Sequence, residues 1–312
     1  MLPANKSVSG GLLVKKRLLF CLLVGQMLVA QAGEYDSNRP AIEAGHAKSS
    51  SISLSAGSAP KLRSAIALIY DQQTQSALYA KNSETQTPIA SITKLMTAMV
   101  VLDAQQSMDE EIRIDKADID TLKGTRSRLR VGMKLTRNEL LRLALMASEN
   151  RAANALARNY PGGYDAAIAA MNYKAYRLGM RNTRFLGPSG LNSNNVSTAH
   201  DLVKMVAAAR GYPLIHRYTT AASYSVEGSR GRKMRFVNTN PLVRNASWDI
   251  GVSKTGYISE AGRCLVMETT INQRPVIIVL LDSWGKNTRI GDANRIKRWM
   301  ENNNVRILAT HS

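Results

Sequence analysis

The chain has 312 residues, 21% of them charged, and a formal net charge of +19 at pH 7. A balance this basic favours anionic partners, but aromatic residues make up only 5% of the chain and no zinc-finger or RNA-binding signature is present, so nucleic acid is not predicted. The two cysteines, Cys21 and Cys264, exclude a disulfide scaffold because the first falls in a segment predicted to be removed.

The first 32 residues have the pattern of a secretory signal peptide. A basic patch at 15–17 precedes an apolar run at 18–30, and Ala30-Gln31-Ala32 is typical of a cleavage site. The apolar run is short for a membrane span, although a retained N-terminal anchor stays an alternative. The sequence therefore predicts an exported protein.

A flexible arm and a folded domain are predicted to follow the signal. Residues 33–60 are rich in Ser, Ala and Gly with almost no apolar periodicity, which is typical of a flexible segment. The folded domain is predicted to span 61–312. It begins with two strand-like runs, Ala65 to Tyr70 and Ser76 to Ala80, around a plausible hairpin turn at 71–74.

Two amphipathic helices are predicted next. After Pro88, apolar residues recur with helical spacing at Ile92, Leu95, Met96, Met99 and Val100. This pattern predicts a buried helix that begins at or near Ser91. Thr136, with Glu139 three residues later, forms the capping-box pattern of a second helix, which runs into Ser148.

The rest of the chain predicts more helices and then strands. Helices are predicted at 151–159, 164–178, 198–210 and about 291–301, and strands at 250–255, 264–271 and 276–281. Strands at both ends of the chain with helices between them predict an α+β fold, in which a mainly antiparallel sheet is flanked by helices. The N-terminal hairpin is expected to join that sheet from the far side.

Three short elements carry the chemical signal: Ser91-Ile92-Thr93-Lys94, Ser148-Glu149-Asn150 and Lys254-Thr255-Gly256. Ser58 and Ser283 also start a Ser-x-x-Lys pattern, but only Ser91 stands at a predicted helix start. Spacing of three places Ser91 and Lys94 on one helix face, and a helix N-terminus directs N–H groups that stabilise an oxyanion. Gly256 lies on a predicted strand, where it lets another backbone or a substrate come close.

The order of these elements resembles that of penicillin-binding proteins and serine β-lactamases. The D-alanyl-D-alanine carboxypeptidase branch is resembled at Met171-Asn172 through Leu178-Gly179-Met180, Thr183-x-Phe185, Pro188-Ser189-Gly190-Leu191 and Ser197-Thr198-Ala199-x-Asp201-Leu202. Residues 238–243 and 261–265 resemble the endopeptidase group of that branch, the penicillin-binding protein 7 type. The resemblance covers nearly all of the predicted folded body and implies the β-lactamase/transpeptidase-like fold.

The resemblance also implies roles for individual residues. Ser91 would attack the carbonyl carbon of a D-Ala peptide bond and form an acyl-enzyme. Lys94 would take the proton of Ser91, which requires a neutral lysine, so we expect burial and the charge of Lys254 to lower its pKa. Ser148 would pass the proton to the leaving amine.

Substrate recognition follows from the same resemblance. The predicted substrate-binding residues are Asn150, Lys254, Thr255, Gly256 and Tyr257. Asn150 would bind the substrate backbone, and Lys254 with Thr255 would hold its carboxylate end. The backbone N–H groups of Ser91 and Tyr257 would form the oxyanion hole. No metal or cofactor is predicted, since the four histidines form no His-Glu-x-x-His run.

The function implied is that of a penicillin-sensitive serine D-alanyl-D-alanine endopeptidase, which hydrolyses D-Ala–diamino acid cross-links of peptidoglycan in the periplasm. A D-alanyl-D-alanine carboxypeptidase stays an alternative, because pocket shape decides between the two. A serine β-lactamase would need a further water-activating group, which nothing outside the three elements predicts. A non-catalytic wall-binding protein would not need the intact Ser91, Lys94, Ser148 and Lys254.

The expected partners are peptidoglycan cross-links and, as covalent inhibitors, β-lactam antibiotics. Contact with a membrane is expected to be peripheral at most.

Overall fold

The computed structural model describes residues 59–228 and 231–303. The predicted signal peptide at 1–32, and the predicted flexible arm at 33–60 apart from its last two residues, lie outside the described residues, so both stay predictions. Within the described ranges, no helix combines the length and the apolar character needed to cross a membrane.

Strands lie towards both ends of the described chain and most helices lie between them, as predicted. The strands are β1 (Ile66–Asp71), β2 (Ser76–Lys81), β3 (Thr87–Pro88), β4 (Glu111–Arg113), β5 (Lys134–Thr136), β6 (Val196–Ser197), β7 (Ser223–Glu227), β8 (Lys233–Val237), β9 (Asp249–Ile258), β10 (Gly262–Ile271) and β11 (Arg274–Ser283). The α-helices are α1 (Lys94–Asp103), α2 (Arg137–Met146), α3 (Asn150–Arg158), α4 (Gly163–Arg177), α5 (Ala199–Arg210), α6 (Pro213–Thr219) and α7 (Thr288–Asn302).

The central sheet has five strands in the order β2-β1-β11-β10-β9, and every neighbouring pair is antiparallel. The N-terminal hairpin therefore joins the sheet on the side opposite β9, as predicted, by pairing β1 with β11. Its turn is fixed by Asp71, whose carboxylate accepts the backbone N–H groups of Gln73 and Thr74. This is the local turn that an Asp side chain favours.

The sheet is covered on both faces, because its inner strands are apolar at consecutive positions. In β11, Ile277 and Val279 belong to the core on the side of the helices α1 to α5, whereas Ile278 and Leu280 pack with residues of α7. Successive side chains of a strand point to opposite faces. Helix α5 packs on the first face and α7 on the second, and the edge strand β9 carries Lys254 to Tyr257.

Of the two helices that adjoin Ser91 and Ser148, α2 begins as the sequence indicates and α1 begins later than predicted. Thr136 caps α2, and its hydroxyl accepts the N–H of Glu139 while the Glu139 carboxylate accepts the N–H of Thr136. Before α1, however, residues Ala90–Thr93 form a turn of 3-10 helix, and the α-helix starts at Lys94. The turn enters through Ala90 at φ 47°, a left-handed conformation that side chains rarely adopt.

Helix α6 and the β7–β8 hairpin were not predicted. Helix α6 has seven residues, too few to establish a helical period. In the hairpin, apolar Tyr224 and Val226 alternate with polar residues in β7, and Met234 and Phe236 do so in β8. This alternation is typical of a strand, so the signal was present in the sequence but was overlooked.

Candidate active site

Ser91 and Lys94 meet as their spacing predicts. Ser91 lies in the 3-10 turn and Lys94 is the first residue of α1. The Lys94 Nζ atom lies 2.9 Å from the Oγ atom of Ser91, 2.7 Å from Oδ1 of Asn150 and 2.6 Å from the carbonyl oxygen of Ser189. Ser91 is half-buried and Lys94 is 1% exposed. The amine is thus held against Ser91 out of reach of bulk water.

The environment of Lys94 favours its neutral form. Burial holds the pKa of Lys94 well below its ordinary value, the positive charge of Lys254 lowers the pKa further, and the nearby carboxylate of Glu149 opposes both effects. The direction and the two causes are those expected from the sequence.

Ser148 and Lys254 form a second serine–lysine pair. Ser148 follows α2 at φ 60°, and its Oγ atom accepts a hydrogen bond from Nζ of Lys254 at 2.9 Å. Lys254 also contacts the carbonyl oxygen of Thr255 at 2.9 Å and is 1% exposed. Burial, together with the charge of Arg289, lowers the pKa of Lys254 to about 7.

Both the oxygen and the nitrogen of the Asn150 side-chain amide form hydrogen bonds within the site. Its Oδ1 atom accepts from Lys94, and its Nδ2 atom donates to Oγ1 of Thr125 at 3.0 Å. The neighbouring Glu149 accepts a 2.7 Å hydrogen bond from the hydroxyl of Ser127, and burial raises its pKa. The amide is thereby held in one orientation at the start of α3.

The strand element Lys254-Thr255-Gly256 lies directly beside the turn that carries Ser91. A Cβ atom added to Gly256 would lie 3.0 Å from the backbone nitrogen of Ser91 and 3.0 Å from Cβ of Ala90. The predicted close backbone approach at Gly256 is therefore confirmed. The Thr255 hydroxyl donates to Oγ1 of Thr239 at 2.6 Å.

Tyr257 follows Gly256, so its backbone continues past the same turn. Its side chain is 56% exposed and lies under the guanidinium of Arg263 at 4.5 Å from the ring centroid.

Four residues that affect the site had no assigned role in the sequence prediction: Thr125, Ser127 and Ser189, which form hydrogen bonds there, and Arg289, whose charge acts on Lys254. Thr125 and Ser127 belong to a loop without apolar periodicity, and the carbonyl of Ser189 acts irrespective of its side chain. Arg289 comes from α7, separated from Lys254 by two strands, so no local spacing reveals it. Its guanidinium is largely buried, and its Nε atom has no hydrogen-bond partner in the described part of the chain.

Metal-ligating side chains and the cysteine of the described residues are the other candidates for reactive groups. Within residues 59–228 and 231–303, no group of three or more His, Cys, Asp or Glu side chains could hold a metal ion. Cys264 is buried in β10, and burial raises the pKa of its thiol to about 12. It remains a protonated, apolar group.

Comparison with known proteins identifies the same family that the three sequence elements and the segments between them resemble. A sequence profile described as D-alanyl-D-alanine carboxypeptidase matches residues 54–285. The chain is 49% identical over 246 residues to a D-alanyl-D-alanine endopeptidase of Pseudomonas aeruginosa, covering 78% of this chain and 79% of the relative. It is 47% identical over 249 residues to a D-alanyl-D-alanine endopeptidase of Escherichia coli, covering 80% of each.

The fold is also shared with solved structures. The Streptomyces K15 DD-transpeptidase is similar with a TM-score of 0.72 at 30% identity, over 78% of this chain and 98% of that chain. These matches confirm the predicted α+β, transpeptidase-like fold.

Proposed function

The chain belongs to the D-alanyl-D-alanine carboxypeptidase family of serine peptidases, and on this basis we propose that it is an endopeptidase that hydrolyses D-Ala–diamino acid cross-links of peptidoglycan. The relatives at 49% and 47% identity are both D-alanyl-D-alanine endopeptidases. The observation that carries the proposal is the buried Lys94 amine, 2.9 Å from the hydroxyl oxygen of Ser91.

The contacts of Lys94 set the direction of proton transfer. The carbonyl oxygen of Ser189 and Oδ1 of Asn150 can only accept hydrogen bonds, so they take the two N–H groups of the neutral amine. The lone pair of the amine is then left facing the hydroxyl of Ser91. The Ser91 O–H therefore donates to Lys94, which accepts the proton as Oγ attacks the D-Ala carbonyl carbon.

Ser148 is arranged to return the proton. Because Lys254 donates to the Oγ atom of Ser148, the hydroxyl hydrogen of Ser148 remains free to be donated. As the carbon–nitrogen bond breaks, this hydrogen passes to the leaving amine, and Lys254 reprotonates Ser148 through the bond they share. The proton that Lys94 took from Ser91 then replaces the one that Lys254 gave, which leaves Lys94 neutral and Lys254 charged. The products of this step are the Ser91 acyl-enzyme and a free amine.

The oxyanion and the substrate carboxylate would bind on the side of the site that β9 forms. The backbone N–H groups of Ser91 and Tyr257 would bind the oxyanion, which the packing of Gly256 against the Ser91 turn supports. Lys254, Thr255 and, in addition, Arg289 supply the positive and hydroxyl groups that would bind a carboxylate. Water then hydrolyses the ester, releasing the D-Ala carboxylate and regenerating Ser91.

The proposed function includes the compartment in which the protein acts and the molecules that it binds. We infer export to the periplasm through the signal pattern at 1–32, peptidoglycan peptides as substrate, and β-lactam antibiotics as covalent inhibitors. The proposed reaction needs no metal or cofactor.

The test is product analysis on two substrates. The exported chain should convert purified cross-linked muropeptide dimers to monomers, and preincubation with penicillin should abolish this conversion by acylating Ser91. Monomers that end in D-Ala-D-Ala serve as the second substrate. Release of terminal D-Ala without cleavage of dimers would replace the proposal by the carboxypeptidase, and rapid hydrolysis of penicillin would replace it by a β-lactamase.

The rate of acylation should depend on pH through both lysines. A neutral Lys94 is needed as base, so the rate should fall on the acid side as Lys94 is protonated. A charged Lys254 favours the anionic substrate, so the rate should fall above about pH 7, where Lys254 loses its proton. Measured as kcat/KM with penicillin, the Lys254→Arg variant should lose the alkaline limb, since Arg stays charged. An alkaline limb unchanged in that variant would show that Lys254 is not its source.

The lowered pKa of Lys254 also predicts how the free energy of unfolding changes with pH. Since the folded pKa of Lys254 lies near 7 and the unfolded value near 10.5, the unfolded chain binds more protons between these values. The contribution of Lys254 to the free energy of unfolding therefore rises as the pH rises from about 7 towards 10.5.

A further inference from the structure

A continuous group of exposed cations lies on two segments outside the catalytic residues. The first segment is the loop at 120–133, and the second is the β7–β8 hairpin. Apart from Lys123, which pairs with Glu260, the exposed basic residues in the described part of the two segments are Arg126, Arg128, Arg130, Arg232, Lys233 and Arg235. We call these six residues the arginine surface.

The two segments are in direct contact. Nη1 of Arg128 donates to the carbonyl oxygen of Arg235 at 2.7 Å, and the Arg128 guanidinium lies 3.8 Å from the centroid of the buried Phe236 ring. The loop is also fixed internally, because the carboxylate of Asp120 accepts the backbone N–H groups of Leu122, Lys123 and Thr125. The cations are therefore held together on a preorganised surface.

These cations form no ion pair in the described residues, although the charge of Arg128 acts on the carboxylate of Glu149. In contrast, nearby Lys123 pairs with Glu260 and Arg158 pairs with Asp118. Glu227 stands opposite Lys233 in the hairpin register without forming an ion pair. The surface thus keeps a strong positive charge that a ligand could neutralise.

The arginine surface adjoins the proposed active site through both segments. In the loop, Thr125 contacts Asn150 and Ser127 contacts Glu149. Beyond the hairpin, β8 leads within two residues to Thr239, which bonds the hydroxyl of Thr255. A polymer held on this surface would therefore lie alongside the site.

We propose that the arginine surface binds the free carboxylates of peptides on intact peptidoglycan and so holds a cross-linked strand beside Ser91. The assignment rests on the proposed function for the identity of the polymer. Guanidinium groups bind carboxylates with paired hydrogen bonds. The described residues of both segments present no exposed aromatic ring, whereas proteins that bind single-stranded nucleic acids stack bases on such rings.

The test compares two variants with equal loss of charge. In the first, Arg126, Arg130, Lys233 and Arg235 are replaced by Gln, and Arg128 is kept because it packs on Phe236. In the matched control, Lys61, Arg177, Arg181 and Arg298 are replaced by Gln; these residues are exposed and lie outside both segments. Both sets are made in the full chain carrying Ser91→Ala, so that binding is measured without cleavage.

Binding to detergent-washed peptidoglycan sacculi is measured by co-sedimentation over a range of salt concentrations. The arginine-surface variant should bind roughly tenfold or more weakly at low salt, and its binding should depend less on salt. The control variant should bind within about twofold of the parent. In chains that retain Ser91, acylation by penicillin should be unchanged by either set of substitutions.

Three outcomes would overturn the proposal. These are equal binding by the arginine-surface variant and its parent, an equal loss in the control, and a loss seen only with anionic phospholipid vesicles or DNA as the probe. The proposed function is judged separately, by cleavage of muropeptide dimers by the unmodified chain. If that cleavage is absent while sacculus binding depends on the arginine surface, the endopeptidase fails and the binding surface stands.

Discussion

Replacing Lys94 by methionine is expected to lower the rate of acylation by penicillin by roughly 10²- to 10⁴-fold, the usual contribution of a positioned general base. Methionine is close to lysine in length and suits a buried position. It cannot accept the proton of Ser91, and it leaves Ser189 O and Asn150 Oδ1 without the donor they have in the native site. Time-resolved labelling with fluorescent penicillin measures the rate, and circular dichroism confirms that the variant is folded.

A second substitution at Lys94 shows whether acylation needs a proton acceptor or only a positive charge at this position. Lys94→Arg keeps a cation and hydrogen-bond donors at this position, but its guanidinium cannot be deprotonated in proteins. It should therefore be as slow as Lys94→Met. Acylation by either folded variant at the rate of the unmodified chain would show that another group takes the proton of Ser91.

The sequence predicted those parts of the site that depend on local geometry. Ser91 and Lys94 are three residues apart where a 3-10 turn leads into α1. Residues at this spacing are neighbours in both kinds of helix, so the contact could be predicted although the turn could not. The Thr136–Glu139 capping box likewise predicts where α2 begins, and Ser148 follows from where that helix ends. Strands at both ends of the chain with helices between them predicted the sheet flanked by helices.

Features that depend on packing between distant segments could not be predicted in this way. The 3-10 turn before α1 exists because Ala90 is held between Gly190 and Gly256, which come from two other parts of the chain. Arg289 acts on the charge of Lys254 from α7, which the topology of the sheet brings near β9. The contact of Thr125 with Asn150 depends on a loop whose shape is set by the Asp120 carboxylate.

Replacing Gly190 by alanine is expected to damage both the fold and the site, although Gly190 carries no side-chain chemistry. A Cβ atom there would lie 1.9 Å from the carbonyl oxygen and 2.3 Å from the carbonyl carbon of Ala90, at φ 79°. Both atoms belong to the peptide group that enters Ser91, so the nucleophile must shift. We expect unfolding in urea to show a loss of roughly 3 kcal/mol or more and acylation by penicillin to slow about 100-fold or more.

The matched control is Gly179→Ala. Gly179 also has positive φ, 69°, but an added Cβ meets nothing within 4 Å, so this variant should pay only about 1–2 kcal/mol for the left-handed backbone and keep its acylation rate. In Gly256→Ala, the added Cβ would contact other atoms at 3.0 Å, so its losses of stability and of acylation rate should lie between those of the other two variants. This variant tests the positioning of Ser91 if Gly190→Ala does not fold. If Gly190→Ala and Gly179→Ala lost equal stability and both kept full acylation, the cost would come from the backbone conformation alone, and Gly190 would not position Ser91.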